Sequence, residues 1–162
     1  FDISDKTGLE VGFSPMFGSK DEAANLDARV LGVDTTLIHH LSANQDLKLQ
    51  AEAFNLDRKK TIDGEGNSLG GNFWGTYGLV DFRFHPQWAT GFRYDYVEPV
   101  DNPADNPKSM DMGYTGYLTF HQSEFARWRL QYTHTDLATG KGDDTVYLQG
   151  TFAIGEHKHK LQ

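Results

Sequence analysis

The sequence predicts an all-β fold, an antiparallel up-and-down set of long strands closed into a barrel that spans a membrane. Three observations predict it. Apolar and polar residues alternate over long runs, which is the period of a strand and not of a helix. Eight such runs occur, of ten to fourteen residues. An ordinary soluble strand has about five or six residues, and a tilted membrane-spanning strand about nine to eleven. The connections alternate between tight turns and longer polar loops, as in barrels with short periplasmic turns and large outer loops.

The first run, Thr7–Phe17, sets Leu9, Val11 and Phe13 against Glu10, Gly12 and Ser14, and a polar loop follows at Gly18–Asn25. The second, Leu26–His39, carries Leu31, Val33 and Leu37 against Gly32, Asp34 and Thr36, and turns at Ser42–Gln45. The third, Asp46–Leu56, opposes Leu47 and Leu49 to Lys48, Gln50 and Glu52, before a long loop at 57–71. In the fourth, Asn72–His85, Trp74, Val80, Phe82 and Phe84 share one parity, with Asp81 and Arg83 on the other. Pro86 ends that run, because proline cannot continue a hydrogen-bonded ladder.

The fifth run, Trp88–Val97, sets Phe92, Tyr94 and Tyr96 against Arg93 and Asp95, and a Pro- and Asp-rich loop follows at Glu98–Lys108. The sixth, Ser109–His121, opposes Met112, Tyr114, Leu118 and Phe120 to Asp111, Thr115 and Thr119. After the short turn 122–124, the seventh is the clearest. In Phe125–Asp136, Trp128, Leu130, Tyr132 and His134 alternate with Arg127, Arg129, Gln131 and Thr133. A loop at Leu137–Asp143 leads to the eighth run, Asp144–Gly155, with Val146, Leu148, Phe152 and Ile154 on one side. The expected organisation is thus a barrel over residues 1–155 and a charged tail over 156–162.

Alternation alone does not say which face looks outward. A soluble lipocalin-like barrel uses the same period with its apolar face inside. Two features favour lipid. Charges sit on the polar parity, at Lys48, Glu52, Asp81, Arg83, Arg93, Asp95, Arg127 and Arg129, where they would line a lumen or pair across it. Trp74, Trp88, Tyr96, Phe120, Trp128 and Tyr132 fall toward strand ends, as aromatic girdles at the two membrane interfaces require. Asp81 and Arg83 beside Arg93 and Asp95 read as a complementary cross-strand set on one hairpin.

Composition narrows the function classes. No run approaches the ~20 apolar residues of a spanning helix, and mean hydropathy is −0.58. A net charge of −8 provides no basic stripe for nucleic acid. Cysteine is absent, which removes disulfides and thiolate metal sites. No leader is visible, and the opening Phe1-Asp2-Ile3-Ser4-Asp5 reads as that of a processed protein or a piece of a longer one.

Several blocks together, Tyr117–Thr135, Arg93–Tyr96, Phe1–Gly12 and Phe152–His157, resemble the C-terminal part of a bacterial outer-membrane family. Its members are porin-like proteins labelled zinc-regulated TonB-dependent outer-membrane receptors. The resemblance covers essentially the whole chain. It implies a location in the outer membrane of a Gram-negative bacterium and, because members carry further strands before this block, either a fragment of a larger barrel or an unusually short relative. Such barrels commonly finish on an aromatic residue, whereas this chain ends Lys160-Leu161-Gln162.

Other chemistry is weaker. His157 and His159 are suitable zinc ligands, but two neighbouring histidines do not make a closed site. His39-His40 reads as a strand end, and Asp101, Asp105, Asp136, Asp143 and Asp144 as solvated loop carboxylates without calcium-loop spacing. His134 occupies the lipid-facing parity where the base of an outer-membrane lipid hydrolase would sit. Thr135 points the other way and no Gly-x-Ser-x-Gly stretch exists. The expectation is a non-enzymatic barrel without cofactor, passing small solutes or ions through a charged lumen. Its partners would be outer-membrane lipid, the solutes themselves and further copies in a homo-oligomer. The alternative is an eight-stranded barrel with a plugged interior that displays its outer loops.

Overall fold

A computed structural model describes residues 1–21, 26–62, 68–99 and 110–153. All the secondary structure among them is β. The strands are β1 (Asp2–Ser4), β2 (Thr7–Asp21), β3 (Leu26–Ser42), β4 (Gln45–Ile62), β5 (Ser68–His85), β6 (Trp88–Val97), β7 (Asp111–His121), β8 (Ala126–Asp136) and β9 (Gly142–Phe152). They form one antiparallel up-and-down sheet in chain order. The all-β, up-and-down expectation holds, and the expected strands correspond to β2–β9.

Three details differ from expectation. The strand β1 is additional, pairing Asp2 with Gly8 and Ser4 with Thr7. Phe1 and Leu9 exchange backbone hydrogen bonds of 2.8 Å each way. Three residues are too few for alternation to reveal. The second difference is length: β2 to β5 have 15, 17, 18 and 18 residues, whereas β6 to β9 have 10, 11, 11 and 11. Most of the loops expected at 18–25 and 57–71 is strand, with Arg58 opposite Gly71 and Ile62 opposite Ser68. Polar, glycine-containing sequence reads as loop, but ladder bonds between backbones do not require an apolar side chain. Gly71, at φ +149°, sits beside the register shift between Arg58 and Thr61, a setting that favours glycine. The third difference concerns closure. Among the described residues no ladder joins β9 to β1 or β2, and the sheet is open.

The register carries each face unbroken across the sheet. Leu9, Leu37, Leu49, Val80, Phe92, Gly116, Tyr132 and Val146 are successive partners from β2 to β9. Nothing covers this apolar face among the described residues: Phe13 is 67% exposed and Leu148 74%. The strand residues that are buried, Gly75, Ala89, Thr115, Tyr117 and Thr119, all lie on the opposite, polar parity. Side chains crowd on the inside of a bend and splay on its outside. The polar face is therefore concave and the apolar face convex.

Aromatic rows mark the convex face at the tight-turn end. Trp88, Phe120 and Trp128 are register partners. The Trp88 and Phe120 rings lie 4.8 Å apart, and Trp128 meets Phe152 edge-on at 5.6 Å. The Trp128 indole donates to the Gln122 side chain at 3.0 Å, one apolar body with one wet tip. Near the other end, the Tyr96 hydroxyl donates to Glu98 at 3.0 Å, and the Trp74 backbone N–H donates to the same carboxylate at 2.8 Å. Tyr132 departs from its expected strand-end place. It lies in mid-strand opposite Gly116 and Val146, and only its hydroxyl reaches outward, to Asp144 at 2.6 Å.

Beyond Trp74 both faces become mixed, with Phe17 in the convex row of Arg29, Asp57 and Asn72 and Arg58 on the concave parity. On the convex parity Arg29 pairs with Asp57 at 3.0 Å, and Asn55 donates to Asn72 at 2.6 Å. The concave parity at that level holds Met16, Val30, Leu56 and Phe73. Sheet hydrogen bonding continues through this level.

Candidate functional site

Chemistry on this molecule concentrates on the concave face, where parity places every charged residue expected to line a lumen. Arg93 points from β6 with its Nε 2.8 Å and its Nη2 2.5 Å from Asp95 Oδ1. Its guanidinium also stacks 4.0 Å from the centre of the Tyr77 ring on β5. Arg129 on β8 repeats the arrangement against Tyr117 on β7, again at 4.0 Å, and donates from Nε to the Thr119 hydroxyl at 2.9 Å. A planar cation lying on an aromatic face gains quadrupole attraction and keeps its edge free for further donors.

Tyr117 joins three strands. Its hydroxyl donates to Asp81 Oδ2 on β5 at 2.6 Å, and its ring crosses Gly91 of the intervening β6. A Cβ at Gly91 would occupy the space of that ring. Glycine here is required by close approach, the concave-face counterpart of an aromatic packed over a bare backbone. Gly91→Ala should therefore displace Tyr117, break the Asp81 bond and loosen Arg129, with a loss of about 1–3 kcal/mol. A lowered urea midpoint of the folded protein in detergent checks it, and an unchanged midpoint contradicts the packing.

The expected cross-strand set on the β5–β6 hairpin does not form. Arg93 stands opposite Leu79, Asp95 opposite Tyr77, and Asp81 opposite Gly91. The two charged pairs were offset along the strands by a register that only the position of the Pro86-Gln87 turn decides. Asp81 instead faces Lys48 across β4–β5, and Glu52 faces Asp34 across β3–β4. Arg83 is level with Asp46, and Arg127 is level with His121 near the tight-turn end. Tyr77 and Tyr117 were absent from the expected lumen set, although their parity put them there. A neutral ring leaves no mark in a pattern of charges, whereas its parity does.

The remaining histidines separate. His39 shares a hydrogen bond with Thr7 at 2.8 Å on one face, and His40 with Asp46 at 2.6 Å on the other. On the convex face His134 Nδ1 lies 2.8 Å from Asp144 Oδ1, the same oxygen that accepts from Tyr132. Thr135 is on the concave parity, beside Gly113 and Asp143. His157, His159, Asp101 and Asp105 lie outside the described residues. Among the described residues no group of three His, Asp or Glu side chains gathers as a metal site. Comparison with family models, curated proteins and solved structures returned no match.

Proposed function

We propose that the sheet is part of the wall of a bacterial outer-membrane β-barrel whose concave face lines a porin-like passage for small solutes or ions. The observation that carries this reading is the division of faces. A band of apolar and aromatic side chains runs across the convex face from β2 to β9, and the charges of the expected lumen set lie on the concave face with Tyr77 and Tyr117, which suits a wall with hydrocarbon behind it and water in front. A soluble lipocalin-like barrel needs the reverse curvature. A water-soluble chain of 18.2 kDa exposes roughly 8,000 Å², whereas this one exposes 11602 Å². An open sheet leaves both faces and both edges bare, and lipid would cover the convex share of that surface. The Arg29–Asp57 pair and Asn72 on the convex face beyond Trp74 fit strands that leave the bilayer and stand in water on both sides.

In hydrocarbon no backbone group can stay unpaired, so both sheet edges require partners. Because β1 already holds the Thr7–Gly8 part of the β2 edge, direct closure of β9 onto β2 is obstructed there. A wall wider than eight strands therefore fits better, in keeping with the resemblance to porin-like receptors. Aligned insertion into planar bilayers tests the passage: stepwise conductance is expected. Electrical silence from a folded, heat-modifiable protein would instead support the plugged scaffold, for which the Arg93–Tyr77 and Arg129–Tyr117 stacks supply filling. A chain that stayed monodisperse in plain buffer would remove the membrane from the account.

A further inference from the structure

The concave charges are sorted along the strands. Toward the tight-turn end, the rows hold Arg127 level with His121, then Arg83 and Arg129 with Asp46. Next come Lys48 and Asp81, which face one another, and then Glu10 and Arg93. Toward the other end the sign changes: Asp34, Glu52, Asp95 and Asp143 occupy one connected row, and Asp111 the next. Those two rows contain no lysine or arginine, and Arg58 stands two rows farther out. Asp95 has Arg93 beside it, but Asp34 and Glu52 sit directly opposite each other.

We infer that the concave wall is an axial bipole, basic toward the tight turns and acidic toward the long connections, and that the passage it lines rectifies. The inference rests on the porin-like reading. Cations driven in through the acidic end and anions driven in through the basic end both enter regions that attract them, so carriers accumulate. The opposite polarity draws both kinds out of the middle, and conductance falls. The permeant class is therefore small ions of either sign, with the loop-side-positive direction favoured. A unit charge several Å from the path in water alters local ion concentration by roughly twofold, and this is the size expected for the conductance ratio.

The test is single-channel recording in planar bilayers at 0.1 M KCl, with orientation read from a thiol reagent acting on Gln87→Cys, since the chain has no other cysteine. A ratio near two is expected, shrinking toward one at 1 M KCl as the screening length falls from about 10 to about 3 Å. Asp34→Asn with Glu52→Gln, and separately Arg127→Gln with Arg129→Gln, should each bring the ratio toward one while openings persist. Heat-modifiable migration confirms that each variant is folded. Openings with a symmetric current, with the opposite sense of rectification, or with a ratio indifferent to both variant pairs overturn the bipole and leave the pore intact. Absence of openings from the folded parent protein overturns the pore and the bipole with it.

Discussion

Leu130→Arg should prevent stable insertion into lipid. Leu130 is at the centre of β8, between Leu118 and Leu148 on the convex face, and more than half of it is exposed. An arginine on the hydrocarbon side at the midplane costs about 2–4 kcal/mol, a large share of the marginal stability of any fold. Gln131→Arg, one residue along on the concave face, is the matched control and should insert like the parent. The fraction of protein that becomes heat-modifiable after refolding into phosphatidylcholine vesicles reads the difference. Equal insertion of the two variants would mean that the convex face does not meet hydrocarbon.

Trp128→Ala should produce the next largest loss. The side chain packs edge-on against Phe152, lies in register with Phe120, and anchors its indole N–H on Gln122. Removal sacrifices the edge-on contact with the Phe152 ring and the hydrogen bond to Gln122. A loss of about 2–4 kcal/mol is expected, read as a shift in the urea midpoint of vesicle-inserted protein. Trp128→Phe should recover most of it, because the ring contacts survive without the donor. Were alanine tolerated, the aromatic row at the tight-turn end would have no anchoring part.

Period two was enough to find β6 to β9 nearly residue by residue, because each of these strands has one apolar and one polar face for its whole length. It failed above Trp74. There Met16, Val30, Leu56 and Phe73 occupy the parity that is polar lower down, and Arg29, Asp57 and Asn72 the parity that is apolar. A strand whose two faces both become mixed loses its period-two pattern, and a fixed-phase reading stops there. The concave site was legible as a set of residues, since parity alone places Arg93, Asp95 and Arg129 on one side. Their partners were not legible. Whether Asp81 meets Arg93 or Tyr117 depends on register and curvature, and the bend that carries Tyr117 over Gly91 leaves no mark in a linear pattern.

The unequal strand lengths give the molecule an uneven rim. Measured along the chain at about 3.3 Å per residue, the β2–β5 hairpins overtop their neighbours by roughly 20 Å. In the proposed barrel wall the β2–β5 strands would stand as a parapet clear of the lipid, above the level at which strands β6 to β9 end. Antibodies and proteases would find the strands of that flank readily. Shortening the parapet should alter what reaches the molecule from outside without disturbing the part that holds it in place.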